Sequence, residues 1–229
     1  MDRQLIPRSD TASPANAGSP AQTITAFLSG AAAVLAALSS DVVAQAWDRQ
    51  SVLAGQKVGG LAGHLARGAV WVVDDYLSVG EPSGSVTFES AAAYYAAIMD
   101  RLTPADHEAI RRRGADVGSV GHRRLIDDLE RRLLLLDPAL RASDPARPIA
   151  VIGGAVMRLA DYLETRIVEQ VVHLDDLARS TQTQPWPLPP ECVRVAIRVG
   201  VEIGECRFGD TQVLRALYRD GAGSVCPVL

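Results

Sequence analysis

The chain has 229 residues, of which 48% are hydrophobic and 22% charged, proportions typical of a globular protein with a buried core. Its formal net charge of -4 lacks the basic surplus of a general nucleic-acid-binding protein, so we expect no nucleic-acid partner. The N-terminus has no apolar signal region, and the run from Ile24 to Ser40 is short and rich in small residues. We therefore expect no membrane partner and a cytoplasmic location.

The first part of the chain predicts a tail followed by two helices. Residues 1–19 are rich in Ser, Pro and Ala, which is typical of a disordered tail. Pro20 after Ser19 predicts a helix start, and apolar residues at helical spacing extend that helix toward Trp47. A second helix is predicted over 58–77.

The middle of the chain alternates loops and helices. Gly, Pro and Ser predict a loop over 78–86, and a shorter helix is predicted over 89–102. Three glycines then predict a break: Gly114, Gly118 and Gly121. A helix that begins at His122 should stop before Pro138, with leucines on its inner face.

The last part of the chain predicts one long helix followed by shorter ones. The long helix should run over 149–179, and a proline-rich connector should lead to a helix over 190–203. A short helix over 210–218 precedes the C-terminus. Alternating apolar and polar runs are scarce, so no sheet is expected.

These patterns predict an all-α fold. Four long helices with a long connection between the second and third are typical of a four-helix bundle with a crossover. We expect residues 20–229 to form this single bundle domain, with short C-terminal helices added to it. The three cysteines have no metal-binding spacing and are expected to be reduced thiols: Cys192, Cys206 and Cys226.

Glu169 and His173 lie four residues apart in an otherwise aliphatic stretch, "RIVEQVVHLDDLARS". On a helix, residues at this spacing project side by side. A buried carboxylate must be paired, hydrogen-bonded or bound to a cation, because an unpaired buried charge is costly. A simple Glu–His hydrogen bond would satisfy both groups, so this pair alone leaves a structural role and a metal site open.

A third residue, His64, favours the metal site. It lies on the apolar stripe of the second predicted helix, and a bundle would bring that helix to face the helix of Glu169 and His173. Two imidazoles and one carboxylate suit Zn²⁺ and leave a fourth coordination position open. Asp176 is either a hydrogen-bond acceptor that orients His173 or a solvated residue of the last turn.

Other residues and motifs give weaker evidence for a functional site. His107 and His122 lie in polar, arginine-rich surroundings, and we expect both to be exposed to solvent. The segment "GGLAG" has neither a preceding strand nor a following Lys-Ser/Thr pair, so it is not a phosphate-binding loop. No Gly-x-Ser-x-Gly or Cys/His arrangement indicates a hydrolase.

Three segments resemble the mycothiol-dependent maleylpyruvate isomerase N-terminal domains of the DinB-like superfamily. They are "WDRQSVLAGQKVGGLAGHLARG", "RIVEQVVHLDDLARS" and "VLRALYRDGAGSVCPVL". The resemblance implies a four-helix bundle that binds a divalent metal, usually zinc, through His64, Glu169 and His173. It also implies activation of a low-molecular-weight thiol, mycothiol in actinobacteria, for isomerisation or S-transfer onto an electrophilic substrate.

Two metal-dependent functions therefore remain open, beside a metal-independent helical bundle in which the three residues would not converge. The first is a zinc-dependent transferase or isomerase that acts with such a thiol. The second is a non-catalytic metal-binding or regulatory module, whose bundle would serve homodimer formation or partner binding. A site with only three protein ligands favours the enzyme, and a fourth ligand such as Asp176 would favour the module.

Overall fold

The computed structural model describes residues 19–99 and 101–219. The predicted N-terminal tail, apart from Ser19, lies outside the described residues, and so does Cys226. Helices dominate the described chain, in this order: α1 Pro20–Leu38, α2 Asp41–Ala46, α3 Val58–Ala66, α4 Val72–Leu77, α5 Ala91–Met99, α6 Pro104–Gly118, α7 His122–Arg141, α8 Leu159–Thr181, α9 Pro190–Phe208 and α10 Asp210–Tyr218. Two short strands, β1 Pro148–Ala150 and β2 Val156–Arg158, pair in antiparallel register.

The all-α fold with a DinB-like helical arrangement is confirmed. α8 packs against α1, α3 and α9, and α7 packs against both α1 and α3. Between α4 and α7 the chain crosses over through α5, which packs on α8 and α9, and α6, which packs on α3. Fully buried side chains from four helices fill the centre: Phe27, Leu61, Leu125 and Leu163.

α1 begins where the sequence predicts. The Ser19 hydroxyl and the Gln22 side chain form a reciprocal capping box, with Pro20 in the first turn. The helix ends at Leu38 instead of continuing to Trp47, and α2 follows it as a separate short helix. By length and composition alone α1 could cross a membrane, a property that buried core helices share.

The predicted second helix is present but irregular. A π-helical turn over Arg67–Trp71 lies between α3 and α4, so the continuous stretch from Val58 to Leu77 contains one widened turn. Apolar periodicity does not distinguish such a turn from regular helix, because only one extra residue is inserted.

The predicted break at the glycines is wrong at Gly114, where α6 continues, and confirmed beyond it. α6 ends at Gly118, residues 119–120 form a turn, and Gly121 has a φ of 88°. A Cβ atom on Gly63 would lie 2.2 Å from the Gly114 carbonyl oxygen, and one on Gly118 would lie 2.1 Å from that of Gly59. Gly63, Gly114 and Gly118 permit the close approach of α3 and α6, because a side chain at any of them would meet the facing backbone.

Three boundaries in the second half also differ from prediction. α7 passes through Pro138, because Leu136 and Leu140 continue the buried stripe beyond it. α8 begins at Leu159 rather than at Ile149, since the β1–β2 hairpin occupies that segment. Strands of three residues are too short to produce an alternating pattern, which is why the sheet was not expected.

The C-terminal helices are partly as predicted. α10 has the predicted bounds, Asp210–Tyr218. α9 runs to Phe208 rather than to the predicted end at Ile203, and Gly209, whose φ is 81°, follows it. A glycine tolerates this backbone conformation without the steric cost of a Cβ atom.

Candidate metal centre

His64, Glu169 and His173 come together between α3 and α8. Each offers one donor atom, and these atoms all lie within 4.8 Å of one another. His64 Nε2 is 3.4 Å and His173 Nε2 is 3.3 Å from the same carboxylate oxygen, Glu169 Oε2. The two imidazole rings stand edge to face, with centroids 4.8 Å apart.

Two of the three separations between donor atoms match those of a tetrahedral zinc site. With Zn–N and Zn–O bonds of about 2.0–2.1 Å, two ligand atoms on a tetrahedral ion lie about 3.3 Å apart. The two nitrogen–oxygen separations at Glu169 Oε2 have this length, and all three donor atoms lie within 4.8 Å of one another. The donor set is therefore one that could hold Zn²⁺ or a similar divalent cation.

The Glu169 carboxylate has a different environment at each oxygen. Oε2 faces the two imidazoles, while Oε1 accepts a hydrogen bond of 3.0 Å from the Tyr95 hydroxyl. Arg166 Nη2 lies 3.9 Å from Oε1. Burial alone would raise the pKa of Glu169, but contacts with His173, His64 and Arg166 hold that pKa well below its usual value. Glu169 is therefore an anion at neutral pH.

His173 is oriented by a second carboxylate. Its Nδ1 lies 3.0 Å from Asp176 Oδ2, which leaves Nε2 directed at Glu169. Burial alone would lower the pKa of His173, but the hydrogen bonds to Asp176 and Glu169 raise it to about 9. The Asp176 side chain is only 13% exposed, so it is not a freely solvated residue. This is the carboxylate–histidine arrangement that commonly accompanies metal ligands.

The π-helical turn directly follows the segment that carries His64. Two carbonyl groups of this turn accept hydrogen bonds from α8: Gly68 from Arg166 Nη1 at 2.6 Å and Ala69 from Gln170 Nε2 at 3.2 Å. A Cβ atom on Gly68 would lie 3.4 Å from the His64 ring. Arg166 and Gln170 flank Glu169 on α8. The helix that supplies Glu169 and His173 therefore also holds the turn that follows His64.

The centre is partly accessible to solvent. The side chains of His64, Glu169 and His173 are 19%, 15% and 20% exposed. Asp176 is directed at the far nitrogen of His173 and does not approach as a fourth donor. A cation bound by the three residues would therefore keep a position for a small exogenous ligand.

Two contributors to the site were not found from the sequence. Arg166 could have been found, because it precedes Glu169 by three residues on the same helix. Tyr95 lies in the crossover helix α5, and no sequence spacing relates it to α8. Of the remaining histidines, His107 is exposed as predicted. His122 is not, since its Nε2 lies 2.7 Å from the Leu38 carbonyl oxygen.

Comparison with known proteins places the chain in a family. No curated protein and no solved structure matches it. A family model described as the mycothiol maleylpyruvate isomerase N-terminal domain matches residues 28–178. The matched region covers more than half of the chain and contains His64, Glu169, His173 and Asp176. The chain therefore belongs to the mycothiol maleylpyruvate isomerase N-terminal domain family.

Proposed function

We propose that this chain is a divalent-metal-dependent enzyme that activates a low-molecular-weight thiol, such as mycothiol, for S-transfer or isomerisation of an electrophilic substrate. The observation that carries the proposal is the convergence of three donor residues, with their donor atoms within 4.8 Å of one another. Membership of the mycothiol maleylpyruvate isomerase N-terminal domain family supports the thiol.

Zinc is the cation that the donor set favours. Two imidazoles with one carboxylate form a ligand set used by catalytic zinc, whereas Ca²⁺ and Mg²⁺ prefer oxygen donors throughout. Because the pKa of His173 is about 9 in the metal-free protein, this imidazole would release a proton on binding the ion. When bound, zinc would supply Lewis acidity that lowers the pKa of a coordinated thiol. His64, Glu169 and His173 would hold the ion.

The surrounding residues prepare these donors. Asp176 accepts from Nδ1 of His173 and so directs the Nε2 atom of that ring toward the centre. Arg166 and the Tyr95 hydroxyl face Oε1 of Glu169, which leaves Oε2 between the two imidazoles. Because Glu169 is held as an anion, it does not have to lose a proton before it binds a cation.

The alternative function is a non-catalytic metal-binding or regulatory module. That function favours a closed site with four protein ligands. Asp176 was the nearest candidate for a fourth ligand, and its contact with His173 Nδ1 favours a supporting role instead. The partial exposure of all three donor side chains also supports an open, reactive site.

A thiol-consumption assay tests the proposal. Purified protein is loaded with zinc and incubated with mycothiol and a panel of electrophiles, including maleylpyruvate, and loss of free thiol is followed. We expect consumption that stops after chelation, returns on addition of zinc and is absent in His173→Ala. His107→Ala, at an exposed histidine, is the matched control and should retain full activity. Consumption that continues unchanged in His173→Ala or after chelation would contradict the proposal.

A further inference from the structure

We propose that Tyr95 is a positioning residue that restricts Glu169 to binding the cation through one carboxylate oxygen. This inference rests on the proposed metal binding at His64, Glu169 and His173. It assigns to the crossover helix α5 a direct part in the centre, although α5 supplies none of the three donors.

The two oxygens of Glu169 are divided between different partners. Oε2 lies 3.3–3.4 Å from the two imidazole nitrogens, where a cation would be shared. Oε1 points the other way and accepts from the Tyr95 hydroxyl at 3.0 Å. Binding through both oxygens would require Oε1 to turn toward the cation and to leave this hydrogen bond.

Tyr95 is itself held firmly. Tyr95 is only 5% exposed. Its hydroxyl lies 2.9 Å from the carbonyl oxygen of Thr165 and 3.0 Å from Glu169 Oε1. Thr165 precedes Glu169 by one helical turn on α8. The single hydroxyl proton is shared between these two acceptors on α8, so the position of the hydroxyl does not depend on the carboxylate alone.

The consequence is a free coordination position. A carboxylate that binds through one oxygen occupies one position of a tetrahedral cation, and two imidazoles occupy two more. The fourth then remains open for a small ligand. If Glu169 used both oxygens, the second would compete for this space and weaken the capacity of the centre to accept a thiol.

The neighbouring residue Tyr94 provides a matched control. It is also a tyrosine of α5 that is 5% exposed, and its ring packs edge to face against Phe88 with centroids 5.7 Å apart. Within the described chain, no hydrogen bond joins its hydroxyl to another residue. The Tyr94 ring also packs against Tyr95, with centroids 5.9 Å apart. Removing the Tyr94 hydroxyl therefore makes the same chemical change in the same cluster without removing a hydrogen bond to Glu169.

The experiment compares Tyr95→Phe with Tyr94→Phe in the full chain after chelation. Zinc affinity is measured by competition with a chromophoric chelator, and the visible d–d absorption of bound Co²⁺ reports the coordination number. We expect Tyr95→Phe to bind zinc about 10–100-fold more weakly, the usual effect of losing a group that orients a ligand. Its Co²⁺ bands should lose intensity as Glu169 adds a second oxygen. Tyr94→Phe should match wild type in both measurements.

Wild-type affinity and spectrum in Tyr95→Phe, or equal losses in both variants, would overturn the inference. The wild-type Co²⁺ spectrum decides the matter if Tyr95→Phe does not fold, because weak bands of a higher-coordinate ion would rule out binding through one oxygen. The two proposals fail differently. A wild-type chain that binds neither metal defeats both, whereas a metal-binding wild type with an unaffected Tyr95→Phe defeats only the role of Tyr95.

Discussion

Arg166 donates a hydrogen bond of 2.6 Å from Nη1 to the carbonyl oxygen of Gly68 in the π-helical turn. The same guanidinium lies 3.9 Å from Glu169 Oε1 and packs over the Tyr162 ring at 5.0 Å. Its side chain is 11% exposed. Arg166 therefore connects the turn that follows His64 with the carboxylate that faces His64 across the site.

Replacing Arg166 should weaken both the fold and the metal centre. Arg166→Met keeps most of the side-chain volume but leaves the Gly68 carbonyl and the Glu169 carboxylate without their cationic partner. We expect a loss of about 3 kcal/mol in the free energy of unfolding, as for other broken buried ion pairs, and weaker zinc binding. Urea unfolding and zinc titration measure the two effects. Arg194→Met, at an exposed position of α9, should change neither, and equal effects in the two variants would contradict this role.

The contact between α3 and α6 predicts that alanine substitution at two glycines will have different effects on stability. Gly63→Ala would place a methyl group 2.2 Å from the Gly114 carbonyl oxygen, so the helices must separate. We expect it to lower the free energy of unfolding by about 1–3 kcal/mol or more, as overpacking does. Gly80→Ala meets nothing within 4 Å and should be close to neutral. A neutral Gly63→Ala in thermal melts would show that the helices do not approach this closely.

The two described cysteines should differ in reactivity. Cys192 is fully buried and donates to the Ala26 carbonyl oxygen at 3.1 Å, and burial raises the pKa of its thiol to about 12. Cys206 is exposed. Because the thiolate is the reactive form, iodoacetamide at neutral pH should label Cys206 well before Cys192. Peptide mapping by mass spectrometry separates the sites, and equal labelling in the folded protein would contradict the buried position of Cys192.

The stability of the metal-free protein should depend on pH through His173. Its pKa is raised from 6.5 to about 9 in the folded protein. A group with a raised folded pKa contributes stability that is complete below the unfolded pKa and is lost as pH rises through the folded pKa. Chelated protein should therefore lose up to about 3 kcal/mol between pH 6.5 and 9, at 1.36 kcal/mol per pKa unit.

Urea unfolding of chelated protein across this pH range measures the loss. His173→Gln cannot titrate and should show a flatter profile, while His107→Gln should keep the wild-type slope. A wild-type profile that is flat from pH 6.5 to 9, or identical to that of His173→Gln, would contradict the charged pair of His173 with its carboxylates.

The geometry of a single helix was sufficient to predict part of the site. Glu169 and His173 lie side by side because four residues make about one helical turn, whatever the rest of the fold does. His64 required one more assumption, that a bundle brings its helix to face α8. The apolar stripe places His64 inward, and the family resemblance also indicated this residue. The sequence therefore predicted the meeting of these three residues, although their role as metal ligands remains a proposal.

The rest of the site depends on long-range packing. Tyr95 reaches Glu169 only because the crossover places α5 against α8, and 74 residues separate the two in sequence. The π-helical turn leaves the apolar pattern almost unchanged, so the carbonyl groups that Arg166 and Gln170 bind could not be foreseen.

Residue type alone was misleading elsewhere in the fold. Gly114 predicted a break but instead lies inside α6 and permits close helix packing, and Pro138 lies inside α7 rather than after it. In each case the tertiary contact outweighs the local preference of the residue. The start of α1 is the opposite case: Pro20 after Ser19 predicted it correctly, because the cap that begins the helix is formed within four residues.

Zinc titration into chelated protein, followed by calorimetry, tests the central claim most directly. The account predicts one zinc ion per wild-type chain and loss of tight binding in each of His64→Ala, Glu169→Gln and His173→Ala. His107→Ala should bind as wild type does. Absence of stoichiometric binding to folded wild-type protein, or tight binding that survives His64→Ala, would show that these three residues do not form a metal centre.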